Sequence, residues 1–301
     1  MKRIAIIIIA SVFALQGYSQ QINTYSQYMQ DKYAVNPAVA GSSLYSPLNF
    51  SYKQFWTGIN DAPSMQTLSG HVRIYDEVGI GGKVFNYSAG PIGKTGIEGT
   101  YAYNLALNNT LKLSFGLSAM LYQYKIDKEK LKLENPNDAT IDYSSNNLIV
   151  PDAAFGIYLY DRNYYAGIST FQLFNRRVDL KNEANLDQKQ VRHYYLIGGY
   201  DFKINKDYSV EPSLLAKFIE AGQYQVDINV KGAYRISNSQ KLWLGASYRT
   251  SDAIAIMVGL SQEKIGIGYA YDITLSDINT HSNGSHELVI TYNFSSSRPK
   301  L

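Results

Sequence analysis

The residues able to do chemistry are few and scattered along the chain. Four histidines, His71, His193, His281 and His286, stand in a sequence without cysteine. A zinc site needs three or four convergent ligands, and no thiolate is available. His281 and His286 are close in sequence, but they read as a solvated loop and the start of a strand. His71 has Ser69 and Asp61 nearby, the residue types of a barrel hydrolase. Geometry defines such a triad, however, and sequence proximity does not. Gly79-Ile-Gly-Gly-Lys83 has the composition of a phosphate-cradling loop. That loop requires a strand before it and a helix after it, and here it lies inside an alternating strand, where glycine eases bends in a wall. Asn135-Pro-Asn-Asp138 with Asp142 supplies oxygen ligands, but the Gly-punctuated spacing of a calcium loop is missing. The reading is a non-enzymatic protein with no catalytic residue, no cofactor and no metal.

The elements that would carry these residues show a repeated two-residue alternation. Tyr224, Val226, Ile228, Val230 and Tyr234 fall on one face, and Gln225, Asp227, Asn229 and Lys231 on the other. Side chains alternate faces along a strand, so one face is apolar and the other charged. A soluble sandwich hides the apolar face inside. An outer-membrane barrel turns it to lipid and keeps the polar face in the lumen.

The N-terminus favours the membrane. Lys2-Arg3 precedes an apolar run from Ile4 to Leu15, and Gly17-Tyr18-Ser19 supplies small residues for cleavage before Gln20. This is the pattern of a secretory signal, too short for a comfortable spanning helix. The chain carries 27 tyrosines, a residue that outer-membrane barrels place in girdles at both interfaces. A formal charge of only +3 gives no sign of a nucleic-acid partner.

About fourteen strands are legible between Leu48 and Phe294, each suited to a tilted crossing. Tight turns at Asn108, Arg162, Lys206 and Asn238 alternate with longer connections over Thr57–Pro63, Ser88–Thr95, Ile126–Val150, Asn175–Lys189 and Thr274–Gly284. Outer-membrane barrels pair short periplasmic turns with longer extracellular loops. The expected architecture is an all-β protein: a transmembrane antiparallel β-barrel of about 14 strands, with a signal peptide at 1–19 and the barrel at 47–301. Between them, 20–46 forms a periplasmic or lumen-plugging segment, in which Tyr25, Tyr28 and Met29 are spaced for a helical turn.

Glu98, Lys112, Glu211, Lys217, Asp227, Lys231 and Arg249 fall on the faces opposite the apolar rows. A charge at the lipid midplane costs about 2–4 kcal/mol, so these seven are expected to face the lumen. Their mixed signs point to a salt-bridged interior rather than a selective ring.

Specific segments carry a family likeness. Tyr25-Ser-Gln-Tyr28, Asn36-Pro-Ala38 with Ala40-Gly41, Lys53-Gln-Phe-Trp-Thr-Gly58, Ala62-Pro63 with Gln66-Thr67, Gly90-Pro91, Leu113-Ser-Phe-Gly-Leu117 and Ser285-His-Glu-Leu288 leading to Tyr292-Asn-Phe294 resemble the PorP/SprF family of type IX secretion outer-membrane proteins. The resemblance implies an outer-membrane protein of the Bacteroidetes, tied to type IX secretion and, in some members, to gliding motility. It also implies a role in secreting or anchoring a large surface adhesin through that adhesin's C-terminal domain. The implied partners are outer-membrane lipid, the adhesin domain and other secretion components. The partner-binding candidates on the extracellular loops are Tyr143, Phe174, Arg176 and Arg177, because aromatics and Arg dominate binding hot spots. The competing reading is a passive channel for small or hydrophobic solutes.

Overall fold

The computed structural model describes residues 25–127, 130, 147–176, 190–220 and 222–294. Alternation of apolar and polar residues builds fourteen antiparallel strands in chain order. They are β1 Ser46–Gln54, β2 Ser64–Arg73, β3 Val78–Ala89, β4 Ile92–Ala106, β5 Lys112–Ile126, β6 Asn147–Tyr160, β7 Tyr164–Phe171, β8 His193–Tyr200, β9 Tyr208–Ile219, β10 Tyr224–Arg235, β11 Gln240–Arg249, β12 Ala253–Gln262, β13 Ile265–Thr274 and β14 Ser285–Phe294. Each strand pairs with its sequence neighbours, and β1 pairs with β14, so the sheet closes on itself and leaves no edge.

One strand is interrupted. After Asp201, β8 resumes as Phe202–Lys203, which pairs with Val210 and Ser209. Pro212 on β9 lies opposite this break. Proline has no N–H to donate to the ladder, which suits a place where the pairing is interrupted.

The pleat sorts the residues as the alternation requires. On β12, Ile254, Ile256, Val258 and Leu260 are exposed on the outside, whereas Ala253, Ala255 and Met257 are buried in the lumen. Outward aromatics near the strand ends stack in pairs, among them Tyr208 with Tyr234 and Tyr164 with Tyr200. Such amphipathic rings suit the lipid headgroup level.

The connections separate by end. Those at 74–77, 107–111, 161–163, 204–207, 236–239 and 263–264 run two to five residues. The long ones, 55–63, 127–146, 172–192 and 275–284, all lie at the other end, which they share with the short connections 220–223 and 250–252. One expected long connection is absent: β3 and β4 pair as far as Ala89 and Ile92, leaving only Gly90 and Pro91. Gly90 takes φ +54, the left-handed conformation such a tight turn needs. The small residues between Ser88 and Thr95 therefore extend the hairpin rather than interrupt it.

Candidate functional site: a plugged lumen

The described part of the N-terminal segment folds into the barrel interior. Asn36 fixes its shape locally: its side-chain oxygen accepts from the Ala38 N–H at 2.9 Å, capping a 3-10 turn over Pro37–Val39. Proline at the first position of that turn loses no hydrogen bond. Asp31 caps the preceding turn, Lys32–Ala34, in the same way.

Tyr28, Met29, Tyr33, Val35 and Val39 then form an apolar core with Tyr158, Tyr165, Ile197, Leu215, Trp243 and Met257 of the wall. The barrel thus has a second, interior hydrophobic core in addition to its lipid-facing surface. Glycines make room for it. A Cβ on Gly116 would lie 2.6 Å from Ala38 Cα, and one on Gly81 would lie 2.7 Å from the Tyr33 ring. Gly79, in the stretch that suggested a phosphate loop, packs directly against Ala40. These glycines admit the plug's backbone and rings, a more specific reason than easing a bend.

Three polar clusters hold the segment. In the first, the Ser26 N–H donates to a Glu287 carboxylate oxygen at 2.6 Å and the Gln27 N–H to the other at 3.1 Å. Lys53 lies 2.9 Å from Asp272 and 3.6 Å from Glu287. Arg249 contacts Asp272 at 3.0 Å, Asp252 at 3.0 Å and Asp227 at 3.4 Å. Both cations also donate to the Ser26 hydroxyl, which in turn donates to Asp272. A plug residue thereby closes a network drawn from β1, β10, β11, β13 and β14. Buried charges are tolerated only when paired and hydrogen-bonded in this manner.

In the second cluster, Lys83 pairs with Glu98 at 2.6 Å and donates to the Ala34 carbonyl at 3.2 Å. The Ser69 hydroxyl donates to Asp31, and Ser169 donates to the Val35 carbonyl. In the third, Glu211 is held by Lys231 at 2.5 Å and by Lys32 of the plug at 3.4 Å, with the Lys32 ammonium 3.7 Å over the Tyr165 ring. The Tyr28 hydroxyl bridges Ser213 and Asn229, each at 3.0 Å.

The seven charged residues singled out from the alternation occupy inward positions. Glu98, Lys217, Asp227 and Arg249 are buried, Glu211 and Lys231 are partly buried inside the third cluster, and Lys112 is half-buried at the short-turn end of β5. Lys217 has Asp227 as an ion-pair partner at 3.8 Å. Lys53 and Glu287 are direct cross-strand partners in the β1–β14 register. The central part of Ser26 carries no sequence signal, because a single serine in a polar tail is unremarkable until the fold brings it 2.6 Å from Asp272.

Of the loop candidates, Phe174 is exposed and Arg176 stacks over its ring at 6.0 Å. Tyr143 and Arg177 lie outside the described residues, as do the signal segment and the acidic stretch around Asn135. The suggested hydrolase trio does not assemble. The His71 Nδ1 accepts from the Gly41 N–H, Ser69 donates to Asp31, and Asp61 sits on the connection at the opposite end of β2. His286 contacts Tyr269 at 2.6 Å on the outer face, and His281 contacts Thr280. No group of three metal-ligating side chains occurs among the described residues.

No curated protein matches the chain. Among solved structures it is similar to the toluene transporter TbuX of Ralstonia pickettii, with a TM-score of 0.54 and 10% identity over 94% of this chain and 97% of that one. The CymD monoaromatic hydrocarbon channel gives a TM-score of 0.53 at 13% identity, covering 93% and 95%. A FadL homologue from Pseudomonas aeruginosa gives 0.51 at 11% identity, covering 86% and 93%. At such identities the likeness is one of fold, that of an outer-membrane barrel. The family model described as "Type IX secretion system membrane protein PorP/SprF" matches residues 17–292, and with nearly the whole chain inside that match, the protein belongs to the PorP/SprF family.

Proposed function

We propose that this type IX secretion barrel retains the C-terminal domain of a large secreted adhesin at the cell surface, in support of gliding motility, and that it does so without catalysis. The family assignment supplies the secretion system and, with it, other secretion components as partners. The observation that carries the reading is the filled lumen. Ser26, Gln27, Tyr28, Asp31, Lys32, Ala34 and Val35 of the plug are all committed to wall side chains in ion pairs and hydrogen bonds. A lumen so occupied is poorly suited to passing solutes, which turns attention to the barrel's outer end. There the exposed Phe174 and Arg176 offer an aromatic and a guanidinium to a partner, and Tyr143 and Arg177 belong to the same proposed surface. Export by a cleaved signal at 1–19 is part of the reading.

The test is deletion of the gene. The adhesin should still be made but should be missing from the surface of intact cells. Unchanged display accompanied by slower uptake of a small solute would favour the channel reading, for which the likeness to hydrocarbon channels in fold is the specific support.

A further inference from the structure

Among the described residues five carboxylates are buried: Glu98, Asp152, Asp227, Asp272 and Glu287. Four of them have a lysine or arginine within ion-pair distance. Asp152, only 3% exposed, is the exception, since no cation of the described residues pairs with it. Its Oδ1 accepts from the Ala153 N–H at 2.7 Å and from the Phe174 N–H at 3.1 Å. Its Oδ2 is buried and has no hydrogen-bond partner. A buried charge is strongly unfavourable unless it is paired, so a counter-ion is called for.

The surroundings narrow the chemistry. Asp152 lies on the inner face of β6, at the end that carries the long connections, and the chain leaving β7 turns over it. The Leu173 N–H donates to the Ala153 carbonyl, the Asn175 N–H to the Gln172 carbonyl and the Gln190 N–H to the Arg176 carbonyl. These bonds bring three amide side chains to the same turn. The Oε1 atoms of Gln172 and Gln190 and the Oδ1 of Asn175 are each buried without a hydrogen-bond partner. The four orphan atoms are all acceptors, and they carry one negative charge between them. A water molecule has two protons for four acceptors and no charge to offset Asp152. An anion is repelled. A hard metal cation meets both needs, because carboxylate and amide oxygens are its natural ligands.

We infer that this turn holds a calcium ion, with Asp152 as the anionic ligand, the amide oxygens of Gln172, Asn175 and Gln190 as neutral ones, and water completing the shell. Calcium accepts irregular sets of six to eight oxygens, whereas magnesium demands a near-regular octahedron and gives up its waters reluctantly. The site has a single carboxylate, so it needs no trio of His, Asp and Glu. That low charge places its affinity in the weak range of extracellular modules, about 0.1–1 mM. The location agrees, because outer-membrane barrels turn their long connections outwards. The ion fixes the turn that presents Phe174 and Arg176, yet the site stands whether or not those residues meet an adhesin.

The full-length protein, purified in detergent and stripped with EGTA, should take up radioactive calcium in equilibrium dialysis, with half-saturation at about 0.1–1 mM. Asp152→Asn keeps the shape of the side chain and removes its charge, and should weaken binding by about tenfold or more, since ligand charge sets affinity. Asn175→Gly suits the left-handed backbone at that position, φ +46, and removes one neutral ligand, so a smaller weakening is expected. Thermal unfolding separates an ion site from a merely structural carboxylate. Calcium should raise the Tm of the unsubstituted protein and not that of Asp152→Asn. Without calcium, Asp152→Asn should be no less stable than the unsubstituted protein, because it removes an uncompensated charge. No calcium bound at a concentration tenfold above that range, equal displacement by magnesium, or binding untouched by both substitutions would each overturn the assignment.

Discussion

Gly116→Leu is the sharpest perturbation of the plug. Gly116 lies on the inner face of β5, and a Cβ there meets the backbone of Ala38 at 2.6 Å. The obstacle is main chain held by the Asn36 cap, so no rotamer change relieves it. Overpacking of this kind costs about 1–3 kcal/mol. The β5 ladder to β4 and β6 is unaffected, because the side chain projects away from it. The whole cost therefore falls on seating of the plug, whose seated-to-released ratio should drop by about 5- to 150-fold. Lys32 reports on this ratio. It is enclosed between Glu211 and the Tyr165 ring, so trypsin reaches it only when the segment leaves. Cleavage after Lys32 in the folded barrel should accelerate by that factor, since proteolysis of a transiently open form tracks its population. Planar bilayers should show currents that the unsubstituted protein lacks. Gly99→Leu is the control: Gly99 is on the lipid-facing side of β4, and a Cβ there meets nothing within 4 Å. Equal cleavage rates for the two variants, or no acceleration in either, would refute the claim that Gly116 exists to admit the plug.

Lys53→Met should destabilise the protein by about 3–5 kcal/mol, because it strands Glu287 without a cation in a buried site and leaves Asp272 with Arg249 alone; thermal unfolding with and without a compensating Glu287→Gln would check this, and failure of the second change to restore any stability would count against the network. Cysteines at Val226, Ile228 and Val230 should react with a lipophilic reagent in membranes, and those at Asp227, Asn229 and Lys231 should not; the reverse pattern would invert the barrel's faces. Phe174→Ala combined with Arg176→Ala should lower adhesin display on intact cells while leaving barrel abundance unchanged, as read by surface immunostaining against total protein, and full display would remove these residues from the partner surface.

The period-two pattern along β10, β12 and β13 determined the fold class by itself, because the pleat has the same period and a membrane punishes any charge on the wrong face. Closure followed from the same pattern, since unpaired strand edges have no place in lipid. Turn positions were legible where Asn, Asp and Lys cluster, as at Asn108 and Lys206. The run from Ser88 to Thr95 misled, because serine and glycine suit both a loop and the end of a hairpin, and only pairing with β4 distinguishes the two. Where the N-terminal segment goes was not decided by its own residues, which suit a free tail as well as a plug. The tertiary structure settled it by bringing Glu287, Asp272 and Arg249, distant in sequence, around Ser26. Likewise, nothing local distinguishes Gly116 or Gly79 from glycines that merely ease a strand. Their role depends on a backbone some 40 to 80 positions earlier approaching the wall, and such proximity is a property of the closed barrel, not of any stretch of sequence.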